Sequence, residues 1–218
     1  MAVVKREFGK NSKGEQAYFY EITNTAGMKA VVTDFGATLH SLYVQDKDGN
    51  FRDVVWGYDS VAEYEIDNGP YFGATVGRIA NRVGGAKVTI NDVEYQMETN
   101  ERTNCLHSGP NCYHVRMWNT EIFETSVKFS ILSPDGDQGL PGNFDISVTY
   151  AVTEDNGFSW DDCSQALQLS LVDPLQYIKS CVALPVGIGD VTGSEAGVIV
   201  YNWSAGVGGK RLYLNPYI

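Results

Sequence analysis

The sequence predicts an all-β protein, an antiparallel β-sandwich, on three observations. Apolar and polar residues alternate in many short segments, which is the period of a half-buried strand. Gly, Pro, Asp and Asn cluster between those segments, as turns require. Helical periodicity is scarce, and only Val61–Tyr64 suits a single helical turn. Many short strands with turn residues between them are typical of a sandwich.

The alternation and the turn residues place the individual strands. We predict strands at Tyr18–Thr23, Ala30–Phe35, Leu39–Val44, Asp53–Trp56, Trp118–Glu124, Val127–Leu132 and Phe144–Thr153. Lys87–Met97 is predicted to be a hairpin that turns at Asn91 and Asp92. Ser133–Asn143, which reads SPDGDQGLPGN, is predicted to be a loop.

The character of the chain changes after Asn156. Charged residues become sparse, Gly, Ser and Val become frequent, and Gly197–Trp203 is the clear strand candidate. We therefore predict two regions, a sandwich in residues 1–156 and a divergent tail in residues 157–218.

Composition and charge exclude several classes of function. The chain has 218 residues and a net charge of -11, from 16 basic and 27 acidic residues, which disfavours binding to nucleic acid or to an anionic membrane surface. It begins without an apolar signal segment and has no run that could span a membrane, so a cytoplasmic location is expected. Its 4 cysteines form no CxxC pair and no zinc-ligand pattern, so we expect free thiols and no metal. The oligomeric state stays open.

The stretch YFGATVGRIANRVGG, residues 71–85, places three polar side chains among small and apolar residues. Its glycines, at 73, 77, 84 and 85, fit neither phosphate-binding pattern, which excludes a nucleotide cradle. Two interpretations remain. Arg78 and Arg82 are ion-pairing residues, or the arginines and Asn81 present directed donors to the adjacent hydroxyls of a polyol.

A second candidate site is NCLHSGP, where His107 lies in a Gly/Pro/Asn loop after a strand pattern. A loop histidine is commonly a surface residue, but loops on a rigid β scaffold also carry binding groups. His40 and His114 lie in or beside predicted strands and are weaker candidates. The aromatic residues flanking the two stretches, which suit core packing or sugar stacking, are Tyr71, Phe72, Tyr113 and Trp118.

Four segments together resemble the aldose 1-epimerase, or galactose mutarotase, family. They are GATLHSLYVQDKDGNFRDVVWGYDS, PYFGATVGRIANRVGGAKVTINDVEYQM, NCLHSGP and SPDGDQGLPGNFDISVTY, and the resemblance runs from about Tyr18 to Asn156. It implies a β-sandwich of the galactose mutarotase-like type that binds a free hexose, and we expect residues 1–156 to form the N-terminal part of an incomplete sandwich. It also implies an isomerase that interconverts the α and β anomers without a metal or organic cofactor.

The resemblance assigns roles residue by residue. Asn81 and Arg82 match the asparagine and the second arginine of a G-R-x-A-N-R motif, which contact sugar hydroxyls. His107 matches a substrate-binding histidine in an L-H-G-G loop. Arg78 matches the first arginine of the motif, to which we assign a structural role. Ser108 replaces a glycine of the loop, at a cost on the order of 1 kcal/mol if that position has a positive φ.

The acid and base that the resemblance implies are missing. The family's second histidine and its C-terminal glutamate have no matching segment, and Glu195 lacks the family context. We expect His107, with a near-neutral pKa, to be the remaining catalytic candidate. The tail is consistent with a truncation, a frame shift or a fusion. The alternatives to an active epimerase are a non-catalytic sugar-binding sandwich and an inactive mutarotase fragment.

Overall fold

The computed structural model describes residues 2–66, 71–168 and 210–213, which are mostly antiparallel strands. The strands are β1 (Ala2–Lys10), β2 (Gln16–Thr23), β3 (Lys29–Thr33), β4 (Thr38–Gln45), β5 (Phe51–Asp53), β6 (Arg82–Val83), β7 (Lys87–Ile90), β8 (Val93–Gln96), β9 (Cys105–Leu106), β10 (Asn119–Ile122), β11 (Ser126–Ser133), β12 (Asn143–Val152), β13 (Gly157–Gln168) and β14 (Lys210–Tyr213). The α-helix of this part of the chain is α1 (Val61–Ile66), and short 3-10 helices lie at Gly84–Ala86, Tyr113–Val115 and Asp137–Gly139.

The strands form two five-stranded sheets and two small ladders. The first sheet has the order β1-β2-β3-β4-β5 and the second the order β10-β11-β12-β13-β14, with every neighbouring pair antiparallel. Each sheet is thus a meander in chain order, which short turns can connect. The part of the chain that connects β5 of the first sheet to β10 of the second forms the ladders β6–β9 and β7–β8.

The main core lies between the two sheets. Tyr20 of β2 meets Phe129 of β11 edge to face, with ring centroids 5.6 Å apart. The Tyr150 hydroxyl on β12 donates to the Ala37 carbonyl at 2.8 Å. Other buried residues of this core are Ile22, Val32, Leu39, Ile146 and Val148. Burial of one such side chain contributes about 1.5–3 kcal/mol, so this layer holds the sheets face to face.

The predicted sandwich and most of its strands are confirmed. The hairpin turns at Asn91 and Asp92, whose φ values of 48° and 62° suit a tight two-residue turn. Val61–Tyr64 lies within α1. The strand predicted at Asp53–Trp56 is wrong, because β5 ends at Asp53. The Asp53 carboxylate accepts the N–H groups of Leu42 and Val55, at 3.0 and 3.1 Å, and this side-chain contact closes the end of the ladder.

Two further outcomes concern the ends of the chain. The sequence pattern missed β1, a mostly exposed edge strand. At the other end, β13 begins at Gly157 and pairs along β12, directly after the predicted boundary at Asn156. The strand predicted at Gly197–Trp203 lies outside the described residues. No helix of the described part of the chain is long and apolar enough to cross a membrane.

Candidate functional site

Asn81, Arg82 and His107 come together where the short strands β6 and β9 pair. Arg82 lies opposite Leu106 in this ladder. Beside that pair, the His107 N–H donates to the Asn81 carbonyl at 3.0 Å, and the Asn81 N–H donates to His107 Nδ1 at 2.9 Å. The residues that the resemblance assigns to the substrate therefore share one end of one ladder.

The backbone at this end of the ladder is left-handed at three residues. The φ values are 67° for Asn81, 52° for His107 and 69° for Ser108. Asparagine adopts this region readily, whereas a serine there is strained. The buried Ser108 hydroxyl compensates, because it accepts the Ile79 N–H at 2.6 Å and donates to the Ile79 carbonyl at 3.1 Å. The serine in the place of a glycine thus fastens this loop to the 77–80 segment.

The hydrogen bond at Nδ1 fixes the protonation state of His107. A nitrogen that accepts an N–H carries no proton, so the neutral ring has its proton on Nε2. Burial, reinforced by the charges of His114 and Arg82, lowers the pKa of His107 to about 4, although Glu101 opposes the shift. The near-neutral pKa expected from the sequence is therefore wrong. At neutral pH this ring is an uncharged hydrogen-bond donor through Nε2.

Tyr71 packs against one side of the His107 ring. Its ring meets the His107 ring edge to face at a centroid distance of 4.7 Å and the His114 ring at 4.9 Å. Only 5% of Tyr71 is exposed, so the three rings form a packed group with restricted rotation. Tyr113 and Trp118 are buried in the main core. Core packing is therefore their role, while Tyr71 contacts the site.

Arg82 is exposed and is held by Glu101, which sequence reasoning missed. Arg82 donates from Nε and Nη2 to the two Glu101 carboxylate oxygens, both at 2.6 Å. These hydrogen bonds lower the pKa of Glu101 and hold the guanidinium plane in one orientation. The sequence carried a weak signal, since Glu101 lies in the turn that leads into β9. Pairing across that turn could not be read from spacing.

Arg78 has the structural role that we expected. It is 0% exposed, and its guanidinium donates to a shell of backbone carbonyls and one hydroxyl. The acceptors are the Ser133 hydroxyl and carbonyl and the carbonyls of Pro134, Leu140, Pro141 and Gly142, at 2.7–3.3 Å. All six contacts lie in the predicted loop at 133–143, so this arginine ties that loop to the 77–80 segment and cannot reach a ligand.

The remaining polar candidates do not complete an acid–base pair at this site. His40 is half-buried, with Nδ1 3.1 Å from the Tyr64 hydroxyl. Glu195 lies outside the described residues. Cys105 and Cys112 are buried free thiols, as predicted, and burial raises the pKa of Cys105 to about 11. Within the described ranges, no group of three or more His, Cys, Asp or Glu side chains is arranged to hold a metal ion.

The sequence and fold of this chain are similar to those of known proteins. The sequence model of the family described as Aldose 1-epimerase matches residues 18–161. Galactose mutarotase of Rattus norvegicus is 32% identical over 152 residues, which cover 70% of this chain and 44% of that protein. Aldose 1-epimerase of Escherichia coli (strain K12) is 34% identical over 147 residues, which cover 67% of this chain and 42% of that protein.

Solved structures agree with these matches. A GalM/aldose epimerase homologue from C. elegans superposes with a TM-score of 0.65 at 36% identity, covering 69% of this chain and 46% of that chain. Galactose 1-epimerase from Lactobacillus acidophilus NCFM superposes with a TM-score of 0.63 at 22% identity, covering 76% of this chain and 49% of that chain, a likeness of fold alone. The chain spans less than half the length of the curated relatives named above.

Proposed function

Because the chain belongs to the aldose 1-epimerase family, we propose that it binds a free hexose such as galactose or glucose and interconverts its α and β anomers by acid–base ring opening. The observation that supports this most is the β6–β9 ladder. At its end, the His107 N–H donates to the Asn81 carbonyl at 3.0 Å and the Asn81 N–H donates to His107 Nδ1 at 2.9 Å, with Arg82 as the next residue. Directed donors in a fixed arrangement suit the adjacent hydroxyls of a sugar ring.

Each of the three residues offers the sugar a different group. The Asn81 carboxamide oxygen accepts the Arg82 N–H at 2.9 Å, so its NH₂ group is left to donate to a hydroxyl. Arg82 offers the guanidinium donors that Glu101 does not use. His107 offers Nε2–H. We propose these three as the substrate-binding residues and His107 as the one of them nearest to a catalytic role.

Ring opening needs a base at the C1 hydroxyl and an acid at the ring oxygen. A neutral His107 whose Nδ1 is already bonded cannot be the base. Its Nε2–H can stabilise negative charge that develops on the ring oxygen, as positioned donors do. A full acid–base pair contributes about 10²–10⁴-fold for each member. We therefore expect the chain to accelerate mutarotation weakly or not at all.

A non-catalytic sugar-binding sandwich is the second candidate, and a specific observation favours it. The pKa of about 4 keeps His107 uncharged at neutral pH. The segments that carry the family's acid and base are also missing from the sequence. Binding the ring-opening transition state no more tightly than the two anomers would leave the barrier between the anomers unchanged.

Calorimetric titration and polarimetry test the two candidates together. Galactose is titrated into the chain, and the optical rotation of freshly dissolved α-D-galactose is followed with and without it. Arg82→Ala should abolish binding. Arg52→Ala is the matched control, since Arg52 is also an exposed arginine paired with a carboxylate, Asp46, at 3.0 Å. It should leave binding unchanged.

The outcomes separate the candidates. Saturable binding without acceleration supports the sugar-binding protein. A rate enhancement of enzyme size that His107→Ala abolishes supports the epimerase, and then residues 157–218 supply the missing base. Equal binding by the wild type and Arg82→Ala would remove Arg82 from the site.

A further inference from the structure

A concave site lies beside β4 and β5 of the first sheet. We name it the β4–β5 hollow; its volume is about 420 Å³, within the range of small-ligand sites. Its principal lining residues are His40, Ser41, Asp53, Trp56, Asp59 and Phe72. It shares no lining residue with the site at Asn81, Arg82 and His107, although Tyr71 of that site precedes Phe72 in the chain.

Two aromatic rings form one corner of the β4–β5 hollow. Trp56 is 52% exposed, a large fraction for a tryptophan. Its ring meets the half-buried Phe72 ring nearly at a right angle, 82°, with centroids 5.5 Å apart. Phe72 in turn packs on Tyr58, at 5.3 Å, so the corner is held in place. Such a corner gives an apolar ligand two faces to contact.

The carboxylates of Asp53 and Asp59 make the hollow negatively charged. No lysine or arginine is among the described residues that line it. The nearby cations are paired with other acids: Arg52 bonds Asp46, and Glu21 pairs with Arg6 and with Lys29, whose ammonium lies 4.5 Å from the ring centroid of Tyr43 in the wall. Burial lowers the pKa of His40, so this ring is neutral at neutral pH and does not compensate the two acids. The charge of the hollow therefore disfavours an anionic ligand.

Ser41 adds a buried acceptor to the wall. It is only 5% exposed, and its hydroxyl forms no hydrogen bond with the part of the chain that the structure describes. A hydroxyl that reaches the hollow without a protein partner can accept a hydrogen bond from a bound donor. The wall thus offers acceptors from two carboxylates and one hydroxyl, beside aromatic faces.

We infer that the β4–β5 hollow binds a small primary ammonium compound with an apolar body. An ammonium group has three N–H donors and no acceptor, which matches Asp53, Asp59 and Ser41. Its charge is attracted both to the carboxylates and to the face of Trp56. A neutral sugar would use the same acceptors but would gain nothing from the net charge of the hollow. This site is independent of the proposed hexose site.

The test compares isoamylamine with isoamyl alcohol, which has nearly the same shape and no charge at neutral pH. Each is titrated into the full chain by calorimetry. We expect saturable binding of the amine and binding of the alcohol that is several-fold weaker. Asp59→Asn should weaken amine binding roughly two- to fivefold. Trp56→Leu should weaken it by a similar factor.

Asp48→Asn is the matched control, because Asp48 is an exposed aspartate in the turn between β4 and β5 and does not line the hollow. It removes the same charge and should leave amine binding unchanged. Equal affinity for amine and alcohol would overturn the inference, as would an equal effect of Asp48→Asn and Asp59→Asn. Displacement of the amine by galactose, sensitive to Trp56→Leu, would make the hollow a sugar site instead.

Discussion

Replacing Arg78 by alanine tests whether Arg78 serves stability while Arg82, the second arginine of the same motif, serves binding. The guanidinium is fully buried and makes six hydrogen bonds, five of them to backbone carbonyls. Alanine leaves those carbonyls buried and without donors, and it leaves a cavity of nearly arginine size. Breaking a buried charged network of this kind costs about 3–5 kcal/mol.

That cost is large against the 5–15 kcal/mol by which domains are usually stable. Arg78→Lys gives an intermediate case, because an ammonium has three donors and can satisfy at most three of the six acceptors. We expect it to lose about 2 kcal/mol. If the alanine variant does not fold, the lysine variant still measures the contribution of the network.

Urea unfolding followed by far-ultraviolet circular dichroism gives the free energies. Arg82→Ala is the matched control, since Arg82 is exposed and pairs only with Glu101 on the surface. It should leave the unfolding midpoint almost unchanged. A loss below about 1 kcal/mol for Arg78→Ala would refute the reasoning. Loss of hexose binding at full stability in that variant would refute it too.

Three further predictions concern the site and the packing around it. Glu101→Gln should release Arg82 and raise hexose affinity in calorimetry by roughly two- to fivefold, whereas a weaker affinity would mean that Glu101 itself holds the sugar. His107→Asn keeps an acceptor and tolerates positive φ but cannot titrate. Because the pKa of His107 falls from 6.5 unfolded to about 4 folded, the wild type should lose up to about 3 kcal/mol relative to this variant as the pH falls through that window, measured by unfolding at several pH values. Gly73→Ala places a Cβ 1.8 Å from the Leu39 carbonyl oxygen at a φ of +58°, and unfolding in urea should show a loss of at least about 1–3 kcal/mol. Gly84→Ala, with nothing within 4 Å, is its control and should lose far less.

Sequence alternation predicted the strands that bury one face. β2 and β12 alternate buried and half-buried positions almost without interruption, because one face of each lies on the core. β1 was not predicted because most of its residues are exposed, and an exposed strand need not alternate apolar and polar residues. The end of β5 was missed for another reason. The strand ends there because the Asp53 carboxylate accepts hydrogen bonds from the neighbouring backbone. Strand propensity cannot predict such a contact.

The prediction of the candidate site residues depended on the family resemblance rather than on hydrophobic periodicity. β6 and β9 have two residues each, too short to show alternation, so nothing in the spacing of Arg82 and His107 predicts that they meet. The bond from Asn81 to His107 Nδ1, and with it the low pKa of His107, arises only once the chain has folded. Glu101 was missed because an ion pair across a turn carries no composition signal.

The protonation state of His107 places a limit on the chemistry of this ladder. Lowering the pKa of an imidazole to about 4 makes it a poor base, and the Asn81 N–H occupies the nitrogen that would accept a proton. The same bond fixes Nε2–H as a donor whose direction does not change with pH above that value. Arg82 and Asn81 are also donors. The three residues proposed for the sugar are donors, which bind hydroxyl and ring oxygens and stabilise negative charge on them. The Glu101 carboxylate beside them is held by Arg82, which lowers its pKa and makes it a poor base. Removal of the C1 proton therefore needs another carboxylate or imidazole.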